Sequence, residues 1–403
     1  MTELSRRDLL ISAVAAGGTT ALSACLEREQ PAPRGDTSNP PERQHAWDDH
    51  MATDEHGNVE MPRHHLLLLG DVTEDPEALE TSFTDLERAY EWSHEGLLFT
   101  VGYGPSYYED RDLEPPVPEP EPLASFEDPE LDAHDFCIHL ASDRASTLLE
   151  VESALKDEVD EANGVEVEPA VDVLDFSERR TGFVGAGLPA DNQDVDGVPS
   201  SEPVPEDTPQ YMGFKSGFRA NQATEDRVTI QEGDLAGGTT QHVSSMSIDL
   251  VQWYEQDSRY QRVAKMFCPA HAEEDRVDGA GDNLGDEALT DDCVGEETTR
   301  EHARTYGTVG HSQKMTSVRE DDEPLMIRRD FNSTDGDRAG LHFVALQRTI
   351  QDFVETREAM NAGDVASDTA VGTRTNNGIL QYIELDSRAN YYVPPRERRA
   401  TPG

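Results

Sequence analysis

Lysine is nearly missing from this 403-residue chain: Lys156, Lys215, Lys265 and Lys314 are the only four, so Arg supplies 29 of the 33 basic residues. Against them stand 83 Asp and Glu, for a formal net charge of −50. Thinly spread cations cannot neutralise a run of phosphates, which excludes nucleic-acid binding as a starting point. Aromatic residues are scarce at 6%, and hydrophobic residues make up only 35%. Low hydrophobicity with high charge is a signature of disorder, yet Leu66-Leu67-Leu68-Leu69 and the run from Leu341 to Leu346 are able to build a core. The length suits two or three domain-sized units. Dense carboxylates suit a protein in molar salt, where the Debye length shrinks to about 3 Å and self-repulsion is screened. On that halophilic reading the acidity is environmental; the alternative is a surface for cations or a basic partner.

Long apolar runs are also lacking. Ser5-Arg6-Arg7-Asp8-Leu9-Leu10 precedes a small-residue apolar stretch from Ile11 to Ala24, shorter than the roughly 20 residues that span a bilayer. It resembles a twin-arginine export signal. Leu22-Ser23-Ala24-Cys25 resembles a lipobox, in which Cys25 is lipidated and becomes the first mature residue. The expectation is a signal peptide over 1–24, a disordered acidic tether over 25–60, and a body on the extracellular face of the membrane held by its lipid alone. An ordinary cleaved signal with a coincidental Cys is the alternative.

Organisation of the body follows from periodicity. His65–Gly70 reads as a strand, Pro76–Trp92 as a helix and Gly96–Gly102 as a strand; after a Pro-rich loop, Asp135–Ala141, Ala145–Asn163 and Val165–Phe176 repeat strand, helix, strand. Residues 185–210 form a long irregular connection. Thr239–Met246, the helix Leu250–Phe267, Leu341–Gln347, the helix Ile350–Asn361 and the strand Ile379–Leu385 repeat the scheme, around an acidic insertion at 272–304. The fold class is α+β, two ferredoxin-like sandwich halves over 61–210 and 211–403.

Familiar catalytic signatures are absent: there is no GxSxG, HExxH or GxxxxGK. Gly185-Ala186-Gly187-Leu188-Pro189-Ala190 matches a dinucleotide fingerprint formally, but Pro189 and the polar residues after it do not start the required helix. Asn192, Asp194 and Asp196 imitate a calcium loop whose twelfth position is Pro203 instead of Glu. Cys137 lies in a strand as a buried thiol. Cys268 and Cys293 flank the insertion and are candidates for a disulfide, with zinc held by Cys268, His271, Cys293 and His302 as the alternative. His139 and His342 lie in strands as packed or hydrogen-bonded residues. His311 instead stands outside any strong period, and soon after comes Leu325-Met326-Ile327-Arg328-Arg329, an apolar run ending in paired cations that call for a carboxylate, propionate or peroxide partner, with an ion pair to the acidic surface as the alternative.

With these pieces the chain resembles the dye-decolourising peroxidases, in particular their exported deferrochelatase-like branch, over about residues 64–395. The resemblance rests on Leu98 to Ser106, Asp135 to Ala141, Gly213-Phe214-Lys215-Ser216-Gly217 in place of the family's GxxDG loop, Gly237-Gly238-Thr239, His311, Ile327-Arg328-Arg329 and Gly340 to Gln347. It implies a fold of the dimeric α/β barrel type, haem b as cofactor, His311 as ligand of the haem iron and Arg328 on the peroxide side. It also implies a cofactor-binding loop of Gly213, Phe214, Lys215 and Gly217, with Arg319 toward a propionate. The implied partners are hydrogen peroxide and a bulky reducing substrate, with homo-oligomers open to it. The chain departs from the pattern at Ser216, where the family has a catalytic Asp, in Thr316-Ser317-Val318-Arg319, and at Ser244, where a strand Arg is common. Loss of a general acid–base group costs about 10²- to 10⁴-fold in rate. Glu225 or Asp226, just beyond the loop, is the expected substitute. The implied enzyme is thus a peroxidase weakened at Ser216, and the alternative is a non-catalytic haem-binding or iron-handling lipoprotein.

Overall fold

In the computed structural model, residues 31–36, 40–321, 323–363, 365 and 369–402 are described. The first half is built from β1 (His64–Val72), α1 (Leu79–Ala89), β2 (Leu98–Tyr103), β3 (Phe136–Ser142), α2 (Ala145–Leu155) and β4 (Leu174–Phe183). Its strands lie in the order β4-β1-β3-β2, every neighbour antiparallel. That is the ferredoxin-like arrangement. The second half repeats it with β5 (Thr239–Ile248), α3 (Arg259–Met266), α4 (Glu296–Tyr306), α5 (His311–Met315), the paired segments β6 (Met326–Arg328) and β7 (Phe331–Ser333), then β8 (Gly340–Gln347), α6 (Ile350–Asn361) and β9 (Ile383–Val393). There the order is β9-β5-β8, with β6 and β7 sharing the outer edge of β8. Each half's last strand meets the other's edge, at Asn332 opposite Phe183 and at Tyr392 opposite Tyr103. The sheet therefore closes on itself and leaves no long free edge to recruit other chains.

Closure explains why Leu66–Leu69 is apolar at every position. Leu67 and Leu69 point inward with Val243, Val344, Phe331 and Tyr391, while Leu66 and Leu68 point outward into a core with Phe83 and Leu86 of α1 and Leu148 and Val151 of α2. Each such leucine, cut to Ala, costs about 2–5 kcal/mol. On the first half, this outer face is filled by side chains. On the second half, the corresponding face beneath α6 encloses a cavity.

Local chemistry revises several expected elements. Helix α2 ends at Leu155, and Asn163-Gly164, both at positive φ (47° and 71°), turns a small hairpin between Glu161–Ala162 and Val165–Glu166. The long strand then starts at Leu174. The expected helix over 250–267 breaks at Asp257, whose carboxylate takes the Lys265 ammonium at 2.8 Å, and Ser258 caps a fresh start with Gln261. Helix α6 occupies the expected span, capped by Thr349 and Asp352. The closing strand runs over Ile383–Val393 rather than Ile379–Leu385.

The expected disorder of 25–60 does not hold for 40–60. Gln44 hydrogen-bonds the backbone of Val101 and Pro394, Trp47 is fully buried, and Ala52–Thr53 pairs with Val59–Glu60. Trp47 and Met51 supply the apolar area that polar composition concealed. The export signal and Cys25 lie outside the described residues. Among the described residues, no helix is long and apolar enough to cross a membrane.

Candidate functional site

A period of two carries the site. From Met326 onward every second side chain, Met326, Arg328, Asp330 and Asn332, lines an internal cavity of about 330 Å³, within the range of roughly 300–1,000 Å³ usual for ligand and cofactor sites. The intervening Ile327 and Phe331 pack into other clusters. Strand β5 adds Ser244, Met246 and Ile248 to the same wall, and β8 adds Leu341 and Phe343. Opposite elements contribute His311 and Met315 from α5, Phe353, Arg357 and Met360 from α6, and Phe214 to Phe218 from the preceding loop. Apolar walls with a few placed polar groups are the usual chemistry of a cofactor site. A larger, more open hollow of about 720 Å³ lies over the Pro116–Pro118 loop and shares Phe353 and Arg388 with this cavity, but it contains neither His311 nor Arg328.

His311 opens α5, and several contacts fix that turn. A Cβ on Gly310 would lie 1.7 Å from the Phe267 carbonyl oxygen, so only glycine allows the approach, and the Gln313 amide donates to that same oxygen at 3.3 Å. Buried Lys314 donates to the Met360 carbonyl at 2.6 Å and to Asn377 Oδ1 at 2.8 Å. Burial, then the charges of Lys314, Arg328 and Arg357, push the imidazole down to about 3, which keeps it neutral. Among the described residues neither ring nitrogen has a hydrogen-bond partner, and Nδ1 is sealed from solvent. A sealed, unengaged polar atom costs about 1–3 kcal/mol; the nitrogen open to a ligand is Nε2.

Gln222 clamps Arg328: its Oε1 accepts from the Arg328 amide at 3.0 Å and from Nε at 3.4 Å, and its Nε2 donates to the Arg328 carbonyl at 3.1 Å. The terminal guanidinium nitrogens take no hydrogen bond or ion pair among the described residues. Arg329 goes the other way. It is 1% exposed, lies over the Trp47 ring at 4.0 Å and donates to the His45 carbonyl at 2.7 Å.

Of the residues singled out in the sequence, His311, Arg328, Arg319, Phe214, Lys215, Ser216 and Gly217 come together on this cavity. Gly213 does not line it; at φ 79° it makes the turn, packed against the Tyr254 hydroxyl. The Lys215 ammonium is committed to Asp54 and Asp282. Arg319 donates to the Ala220 carbonyl at 3.1 Å. The expected carboxylate substitutes are not there. Glu225 caps the backbone of Trp47 and Asp48 and faces Arg329 at 3.6 Å, while Asp226 pairs with Arg43 on the surface. Neither lines the cavity. Cys268 and Cys293 form a disulfide with Cα atoms 6.0 Å apart, and His271 Nδ1 lies 3.3 and 3.1 Å from the two sulfurs. His302 bonds Gln313 instead, so the four-residue zinc set is not assembled. His139 and His342 are hydrogen-bonded to His65 and Asp335.

Asp330 was overlooked in the sequence. Its signal was available: two positions after Arg328 in an extended segment is the same face. Of the other carboxylates lining the cavity, Glu127 is paired with Arg357 and Arg388, and Asp128 and Glu384 are exposed. Burial raises the Asp330 carboxyl above the ordinary range, partly offset by the Arg328 charge.

The fold has solved counterparts at low identity. A dye-decolorizing protein from V. cholerae is 14% identical, with TM-score 0.54, covering 88% of this chain and 99% of its own. A DyP-type peroxidase from Streptomyces coelicolor is 18% identical, with TM-score 0.57, covering 91% and 94%. A DypB variant from Rhodococcus jostii RHA1, solved in complex with heme, is 14% identical, with TM-score 0.54, covering 89% and 98%. No curated protein matches the sequence. The chain thus has the α+β fold of the DyP-type peroxidases, and a family profile matches residues 62–395, so by sequence it belongs to DUF7405, a family of unknown function.

Proposed function

We propose that this protein binds haem b in the cavity of its second half and reacts there with hydrogen peroxide at the expense of a bulky reductant. One observation carries the reading: a neutral imidazole and a guanidinium, whose ring nitrogens and terminal nitrogens have no hydrogen-bond partner among the described residues, line the same largely apolar cavity. The residues fit the group. His311 would ligate the iron, and the Phe, Met, Leu and Ile walls suit a flat apolar macrocycle. Arg319 and Arg374, both lining the cavity, suit its carboxylates. Bound haem would supply the redox chemistry. The chain's own part is to hold that group dry and to set Arg328 where negative charge develops as peroxide is cleaved.

The test is the visible spectrum of the chain folded in multimolar salt with added haemin, beside His311→Ala. The expected result is the Soret band of a His-ligated ferric haem, lost in the variant; no band, or one indifferent to the substitution, overturns the reading. Ser216 favours a second reading, haem capture without turnover, because a hydroxyl cannot act as a base near neutral pH. Haem transfer to an acceptor with no peroxide turnover would select it. Export and a lipid on Cys25 belong to the same proposal, supported by Arg6-Arg7 and Leu22 to Cys25; Cys25→Ser should move the protein from the membrane fraction to the medium.

A further inference from the structure

We propose that Asp330 is the acid–base group of this cavity, doing from the sheet wall what Ser216 cannot do from the loop. The inference rests on the haem reading above. Its basis is position and solitude. Asp330 shares a face with Arg328 through the two-residue period of the segment, and Ser216 and Gly217 line the same space. Gln222, which clamps Arg328, lies beside Gly217: a Cβ there would be 3.8 Å from its Nε2. Among the described residues the Asp330 carboxylate accepts no ion pair and no hydrogen bond from another side chain, unlike Glu127.

Asp330 is half-buried on the cavity wall, and only its own backbone amide and the charge of Arg328 favour its ionised form. Burial raises its proton affinity toward the pH at which it can both take and return a proton. Asp330 would take a proton from one oxygen of hydrogen peroxide and return it to the other, which leaves as water with the electron pair of the O–O bond. Bound haem would supply the two electrons that this cleavage requires, and the reducing substrate would restore them. Arg328, permanently charged, stabilises the developing anion but cannot carry the proton.

The experiment uses the full mature chain, loaded with haemin in multimolar salt, and follows cyanide association with the ferric haem by stopped flow across pH 4–9, with peroxide turnover measured in parallel. Hydrogen cyanide must shed its proton on binding, so its rate reports a cavity base independently of turnover. Asp330→Asn should slow both reactions about 10²- to 10⁴-fold and flatten the pH profile of cyanide association. Asp330→Glu should retain most of the rate, and adding Ser216→Asp to Asp330→Asn should restore part of it. A native Soret band in Asp330→Asn certifies an intact site. With that band present, native rates and a native pH profile overturn the assignment and leave the haem reading standing; absence of a His311-dependent band in the unsubstituted chain overturns both.

Discussion

Arg328 and Arg329 show how far one position changes a side chain's role. Arg328 faces the cavity with its terminal nitrogens unbonded, whereas Arg329 is sealed against Trp47 and His45, with burial lowering it to about 10 despite the nearby Glu225 carboxylate. Removing a buried cation strands its counter-charge, at about 3–5 kcal/mol when both are sealed; Glu225 is 17% exposed, so Arg329→Leu should cost about 3 kcal/mol. Arg328→Leu should leave stability within about 1 kcal/mol, because nothing in the fold depends on its guanidinium. It should instead slow peroxide turnover of the haem-loaded protein by about 10²- to 10³-fold. Thermal unfolding in constant high salt, beside steady-state kinetics, separates the two. Equal destabilisation by both substitutions would show that the opposed orientations are wrong.

Five residues of α5 position His311, and what holds them lies mostly outside the helix. Phe267 receives the turn, and the next residue, Cys268, is tied to Cys293 across a 25-residue separation. Opening that loop should cost about 3.5 kcal/mol by the chain-entropy relation, so Cys268→Ser should lower the unfolding midpoint and also weaken haemin binding, read by titration at the Soret maximum. Gly310→Ala should abolish haemin binding in a chain that otherwise folds, since its Cβ would collide with backbone rather than with a movable side chain. The legible and hidden parts of the sequence divide on similar grounds. Leu66–Leu69 and the span Ile350–Asn361 of α6 were readable because apolar period is a local signal. Glu178-Arg179-Arg180-Thr181 in β4 hid a strand, because its charges are answered by distant partners: Arg180, 3% exposed, is paired with Asp132 and Glu178. Likewise His311 and Arg328 stood out as residue types, whereas Asp330 had only its two-residue spacing from Arg328 as a signal, and the cavity that gives that face a meaning is a tertiary feature.

At the scale of the whole molecule, a closed sheet with buried polar groups sits inside a shell carrying fifty excess negative charges, and the two respond oppositely to acid. Protonating surface carboxylates relieves repulsion. The interior loses stability, because His45, His65, His139, His242 and His271 are at most 2% exposed and burial holds each neutral. Their native values lie below the 6.5 of the unfolded chain, at about 3 for His45 and His65 and about 4 for His271. The unfolded state therefore binds more protons below pH 6.5, and stability is full above that pH and falls as pH drops toward 4. Raised groups such as His134 and Asp330 act the other way and offset part of this loss. Each neutral histidine contributes roughly 1.4 kcal/mol per pH unit in that window, so the five together should remove up to about 10 kcal/mol by pH 5. Salt separates the two effects. In 3 M NaCl, where the Debye length is below about 3 Å, surface repulsion is screened and the histidines dominate, so thermal scans should show Tm falling by about 10 °C or more between pH 7.5 and 5.0. At pH 7.5 the same scans should show Tm climbing steadily from 0.5 to 3 M NaCl. A Tm independent of pH in 3 M salt would mean that these histidines are charged or solvated in the native state, and a Tm independent of salt would remove self-repulsion as a force on this fold.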